Sequence, residues 1–267
     1  MIIIGEKING TRKSVKEAIL ARDAAFIQGL AREQAEAGAD YLDVNAGTNP
    51  DREAEDMLWL LELVQDAADT PVCIDSSNAA TLRLALEHVK ALPMVNSVNA
   101  DPRRLEAFLP LIAARNCPVI ALALDESRSG MPKDNAERLD NVSRIFAATR
   151  SAGIADALVY VDPLIMSVAT NNRACCEALD CIREIRAAYP EAHITGGLSN
   201  ISFGLPERAL VNRTFLTLAL GAGMDSAVCN PANRALIESL KATEMLLGRD
   251  RFCRKYTTAA KAGFVRK

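Results

Sequence analysis

Histidine is almost missing from this chain: His88 and His193 are the only two in 267 residues. Neither has a second histidine or a cysteine at ligand spacing, so a zinc site has little to be built from. The seven cysteines are scattered without a Cys-x-x-Cys pair. Met1-Ile2-Ile3-Ile4-Gly5-Glu6 lacks the basic start and cleavage site of a signal peptide and reads as a first strand. The thiols therefore read as reduced, in a cytoplasmic protein. Apolar runs are only strand-length, which excludes a membrane-spanning helix. With a net charge of -3 and no block of Lys or Arg, the chain does not read as a sequence-independent nucleic-acid binder. Three catalytic signatures are also missing: a Gly-x-Ser-x-Gly elbow, a trustworthy Ser-His-Asp order, and a lysine within a strand for Schiff-base chemistry. Lys7 reads as a solvated charge just past the first strand.

What the chain does have is alternation. Strand-like apolar runs lie near 2–5, 40–44, 71–75, 93–96, 118–124, 158–162, 193–197 and 225–229. Amphipathic helical patterns fall between them, near 18–37, 52–68, 79–89, 102–115, 135–152, 172–188 and 208–222, with a last one near 233–247. Eight βα units in about 250 residues match a (β/α)₈ barrel. A doubly wound open sheet is the rival, because alternation alone does not show closure. No Gly-x-Gly-x-x-Gly follows the first strand, and no linker rich in Pro, Gly or Ser divides the chain, so residues 1–267 read as one barrel domain. The longest irregular stretches, 125–134 and 166–172, follow strands five and six, where the functional loops of a barrel belong.

Polar residues recur at the strand ends: Asp43 and Asn45, then Asp75, Asn96 and Asp162. The richest segment is Thr195-Gly196-Gly197-Leu198-Ser199-Asn200. Its glycines let backbone approach a flat ligand, and Asn200 offers both a donor and an acceptor. Such a ring of carboxylates, carboxamides and a hydroxyl suits a heterocycle with an amino-amide edge, because one carboxylate accepts two N–H bonds from an aminopyrimidine. Two other readings stand beside it: a magnesium site, which also gathers carboxylates, and, for Asp43 and Asn45, simple turn formation after a strand.

Ile3-Ile4-Gly5-Glu6-Lys7-Ile8-Asn9-Gly10, Leu42-Asp43-Val44-Asn45-Ala46-Gly47, Cys73-Ile74-Asp75-Ser76-Ser77-Asn78, Asn96-Ser97-Val98-Asn99-Ala100, Asp162-Pro163-Leu164 and the segment 197–206 occur in that order. Together they resemble the pterin-binding methyltransferases that move a methyl group between 5-methyltetrahydrofolate and a corrinoid protein. More distantly they are similar to the folate domain of cobalamin-dependent methionine synthase and to dihydropteroate synthase. The last usually carries Ser-Arg-Lys where this chain has Ser199-Asn200-Ile201, which counts against pterin synthesis.

The resemblance implies a pterin-binding TIM barrel with the ligand at the carboxyl ends of the strands. On it, Asp75, Asn96 and Asp162 hold the pterin's polar edge, and Gly196, Gly197 and Ser199 lie against the ring. Asn200 is the catalytic residue near the methyl-bearing nitrogen, and Asp43 and Asn45 organise the ligand-contacting groups from behind. It also implies tetrahydrofolate or 5-methyltetrahydrofolate as substrate, a corrinoid supplied by a partner protein, no metal bound by this chain, and a homodimer. A dihydropteroate synthase-like enzyme and a non-catalytic folate-binding subunit are the alternative functions.

Overall fold

Each apolar run becomes a parallel strand and each amphipathic run a helix packed outside it, in a computed structural model that describes residues 1–128 and 130–263. Ser129, in the expected loop after strand five, and residues 264–267, at the end of the expected domain, lie outside the described residues. The strands are β1 (Ile2–Asn9), β2 (Tyr41–Asn45), β3 (Val72–Asp75), β4 (Met94–Val98), β5 (Val119–Leu122), β6 (Val159–Asp162), β7 (His193–Ile194) and β8 (Ser226–Cys229). The helices are α1 (Lys13–Ala21), α2 (Ala24–Glu36), α3 (Pro50–Ala67), α4 (Ala79–His88), α5 (Pro102–Arg115), α6 (Asn135–Ser151), α7 (Ala174–Ala188), α8 (Arg208–Ala222), α9 (Arg234–Leu246) and α10 (Arg254–Lys261).

The strands run in sequence order round the sheet, and β1 pairs with both β2 and β8. The ring closes between β7 and β8, where Asp225 N donates to Ile194 O (3.2 Å) and Val228 N to Gly196 O (3.0 Å). Sequential order and this closure set aside the doubly wound rival, whose strand order would reverse.

Two apolar layers hold the barrel. Ile4, Cys73, Met94, Ile120 and Tyr160 form a plug in its interior, and a much larger core fills the space between strands and helices. Each fully buried aliphatic or aromatic side chain contributes about 1.5–3 kcal/mol. His193 belongs to this structural set: its ring stacks on Tyr160 with centroids 4.4 Å apart, and its Nδ1 lies 3.0 Å from Asp225 Oδ2.

The structure corrects four expectations. The helix expected over 18–37 is two helices, because Arg22 turns left-handed (φ 54°) and Asp23 caps α2 by accepting from Phe26 N at 3.0 Å. Arg22 is fixed there by ion pairs to Glu55 (2.6 Å) and Asp56 (2.8 Å) on α3. β1 extends to Asn9, so Lys7 lies inside a strand. Its ammonium faces outward, 3.1 Å from Glu33 on α2, and is no candidate for Schiff-base chemistry in the barrel. β7 keeps only two residues; past it, Gly196 and Gly197 meet the sheet only through an isolated bridge to Val228 on β8. α10 was not legible because it buries none of its residues and so carries no apolar stripe; Asp250 starts it by accepting from Lys255 N and Tyr256 N. No described helix is long and apolar enough to cross a membrane.

Candidate active site

Side chains alternate along a strand, so a residue two beyond an interior one faces the same interior, one layer nearer the carboxyl end. The plug residues Ile4, Cys73, Met94 and Tyr160 are followed at that spacing by Glu6, Asp75, Asn96 and Asp162. On β2 the sequence Tyr41, Asp43, Asn45 follows the same rule, with Tyr41 packed against the plug. The apolar floor of the barrel is thus overlaid by a layer of carboxyl and carboxamide groups, and all the residues supplying it except Glu6 were expected from the sequence.

Three adjacent strands tie that layer together. Asn96 Nδ2 on β4 donates to Asp43 Oδ1 on β2 at 3.1 Å, and the Cys73 thiol on β3 also bonds to Asp43. The Asn45 side chain donates to Asp75, while Asn45 Oδ1 is buried and has no partner among the described residues. Such an orphaned acceptor costs about 1–3 kcal/mol until a donor meets it. Asp43 thus bonds the Asn96 amide and Asn45 the Asp75 carboxylate, contacts that turn formation alone does not require.

Across the mouth, Asp162 Oδ1 accepts from Leu164 N at 2.8 Å and the carboxylate also takes the Gly197 N–H. Gly196 (φ +155°) passes so close that a Cβ there would lie 2.7 Å from Ile165 Cδ1 and 3.2 Å from Asp162 Oδ1. A Gly196→Ala variant should displace the Asp162 carboxylate and weaken ligand binding about tenfold or more; unaltered affinity by calorimetry would remove Gly196 from the site. The chain then tightens into a 3₁₀ turn, Leu198–Ser202. A Cβ on Gly197 would meet Asn200 Nδ2 at 2.8 Å, so this second glycine lets the Asn200 amide fold over its own backbone. Asn200 itself is exposed, at the rim of the mouth above the buried carboxylates.

Burial dominates the electrostatics. Asp43, only 3 % exposed, has its pKa pushed up by desolvation and then by the neighbouring Asp75 charge. Asp75 is raised for the same first reason, against the lowering effect of the Asn45 bond. Desolvation also lifts Asp162 to about 6, although the N–H groups of Leu164 and Gly197 oppose it. Among the described residues, no three His, Cys, Asp or Glu side chains converge as a metal-binding set.

Two site residues were not anticipated. Glu6 is raised by burial, with Arg12, Arg208, Lys7 and a bond to the Ser199 side chain acting against it; its spacing from Ile4 was the available signal. Arg208, the first residue of α8, pins the 3₁₀ turn by donating to Ser199 O (2.8 Å) and Ser202 Oγ (3.1 Å). Nothing in the local sequence pattern marks it.

The model of the family described as pterin binding enzyme matches residues 5–230. The chain belongs to the pterin-binding enzymes. Within that family it is 40% identical to the methylcorrinoid:tetrahydrofolate methyltransferase of Eubacterium limosum over 265 residues, spanning 99% of this chain and 98% of that protein. It is 31% identical over 255 residues to methionine synthase of Mycobacterium tuberculosis, covering 88% of this chain but 21% of that much longer protein. Among solved structures, the 7,8-dihydropteroate synthase of Vibrio fischeri superposes with a TM-score of 0.69 at 18% identity, over 92% of this chain and 93% of that one. The Xanthomonas albilineans dihydropteroate synthase gives 0.66 at 23%, over 94% and 93%. At such identities these two pterin-binding barrels share the fold.

Proposed function

We infer that this chain transfers a methyl group between 5-methyltetrahydrofolate and the cobalt of a corrinoid held by a separate protein, in one-carbon or demethylation metabolism. The observation that carries this is the 40% identity running end to end through both this chain and the Eubacterium limosum methyltransferase. The site's chemistry supports it. Its buried floor is rich in acceptors, as an aminopyrimidine edge requires, and Asn200 stands at the exposed rim, where a large partner can reach a methyl group. A synthase reading has only shared fold behind it, and Ser199-Asn200-Ile201 lacks the charged triplet expected there.

In this reading Asp75, Asn96 and Asp162 hold the pterin's polar edge, Gly196, Gly197 and Ser199 lie against the ring, and Asn200 faces N5. A tertiary amine leaves poorly until its nitrogen gains positive charge. The corrinoid cobalt(I), brought by the partner, supplies the nucleophile. As the N5–methyl bond breaks, the methyl passes to the acceptor, the electron pair stays on N5, and a proton neutralises it. The Asn200 carboxamide oxygen can accept from the developing N5–H⁺ without itself acting as an acid. The chain works as one barrel domain, holds no metal of its own, and forms a cytoplasmic homodimer.

The direct test is methyl transfer between 5-methyltetrahydrofolate and free cobalamin, followed in both directions. Tight folate binding with no turnover would instead assign a non-catalytic subunit, and diphosphate release from a pterin diphosphate and p-aminobenzoate would assign a synthase. Within the site, Asp75→Ala and Asp162→Ala should each weaken folate binding by roughly 1–3 kcal/mol, because each leaves a buried ligand N–H without its acceptor. Wild-type affinity in both variants, measured by calorimetry, would remove them from the pterin site.

A further inference from the structure

The Asn200 carboxamide makes no hydrogen bond among the described residues; it lies against the Gly197 backbone of its own turn. Its direction is therefore set by the 3₁₀ turn Leu198–Ser202 and not by a partner of its own. A turn of this kind holds itself weakly, because its hydrogen bonds are poorly aligned. Asn200 N donates to Gly197 O, and Phe203 N to Asn200 O, each at 3.1 Å. The rest of its fixation comes from outside the turn.

Ser199, the residue before Asn200, is gripped from two sides. Its hydroxyl bonds to the Glu6 carboxylate on β1, and its carbonyl accepts from Arg208 Nη2 at 2.8 Å. Arg208 Nε also reaches Ser202 Oγ at 3.1 Å, and that hydroxyl donates to Ser199 O at 3.2 Å. Residues three apart lie one above the other in a 3₁₀ helix. A planar guanidinium can therefore span positions 199 and 202 with two donors at fixed spacing, which the single point of an ammonium cannot do. The same guanidinium lies 5.8 Å from the Phe203 ring centroid, and its charge faces Glu6. The first strand and α8 are thus joined through one residue of the loop that carries Asn200.

Resting on the reading of Asn200 as the catalytic residue, we propose that Arg208 and Glu6 are positioning residues for methyl transfer. They hold Ser199 from opposite sides, and through it they fix the Asn200 carboxamide where charge develops in the reaction. In this role neither touches the reacting atoms. Most of the ligand's hydrogen bonds come from the buried floor, so loss of the grip falls on the rate and not on folate affinity.

The test is single-turnover transfer from 5-methyltetrahydrofolate to free cob(I)alamin, with folate affinity measured by calorimetry. Arg208 is exposed, so Arg208→Ala leaves the core intact. It should slow transfer at saturating folate about 10- to 100-fold, the scale of a misplaced group, and change folate affinity no more than about threefold. Arg208→Lys should recover only part of the rate, since it restores one donor point of two. Glu6→Ala should slow transfer about tenfold by releasing the other side of Ser199. The deciding comparison places Arg208→Ala in an Asn200→Ala background. There nothing is left to aim, and the added loss should be under about threefold. The full loss persisting in that background would overturn the proposal, because a merely structural role predicts additive effects. So would wild-type transfer by Arg208→Ala, or a fall in folate affinity as large as the fall in rate. Asn200→Ala transferring as fast as wild type is a different result: it would strike the reading of Asn200 itself, and the proposal with it.

Discussion

Replacing Asn200 with alanine is expected to slow methyl transfer about 10²–10³-fold, the usual cost of losing one group aimed at developing charge. The effect on folate binding should be within a few-fold, because the buried floor supplies most of the ligand's hydrogen bonds before reaction. Asn200 is the one member of the predicted site that is solvent-exposed, and its amide is held over Gly197 by a 3₁₀ turn that Arg208 pins from α8. In the proposed reading, that placement lets Asn200 meet N5 where the methyl must also meet its acceptor. Single-turnover kinetics with saturating 5-methyltetrahydrofolate separates the two quantities. A transfer rate equal to wild type at saturation would sink the assignment. A loss confined to affinity would make Asn200 another binding group.

The parts of this molecule that were readable in its sequence are those with a short-range physical cause. Eight strands and the helices between them follow from period-2 and period-3.6 patterning, and Asp75, Asn96 and Asp162 stand out because a polar residue ending an apolar strand needs a partner. The Arg22–Asp23 break was not readable, since no glycine or proline marks it and its fixation comes from Glu55 and Asp56, over 30 positions away. Lys7 misled for a related reason: β1 continues past its apolar run, and only the packing of α2 shows the lysine pointing outward. Glu6 was printed within a recognisable motif, yet its contact with Ser199 joins the first strand to the loop after the seventh. The amide orientations of Asn45 and Asn96 belong to the same class. A sequence names a carboxamide; only the neighbouring carboxylate says which end is spent.

The second large effect concerns pH, and it takes opposite signs in the two directions of transfer. When 5-methyltetrahydrofolate is the donor, N5 must gain a proton as the methyl leaves, so the rate at saturation should fall as pH rises. When tetrahydrofolate is the acceptor, N5 must lose a proton, and the rate should rise. General-acid assistance of this kind is worth roughly 10²–10⁴, which sets the scale of the change across the working range. Superimposed on it is a binding limb owned by the protein. Desolvation lifts Asp162 to about 6 and raises Asp75 in the same direction, so below about pH 6 the free enzyme holds protonated acids where the ligand's N–H groups need acceptors. The value of kcat/KM for demethylation should therefore climb through about pH 6 and decline on the alkaline side, whereas kcat, read from the complex in which the carboxylates are already engaged, should show the decline without the acid limb. Anaerobic stopped-flow traces in both directions, from mildly acidic to alkaline buffer, resolve these components. If kcat were flat both ways with chemistry rate-limiting, proton delivery would not be what this site contributes, and if the acid limb of kcat/KM were missing, the buried carboxylates would not be the groups that hold the pterin.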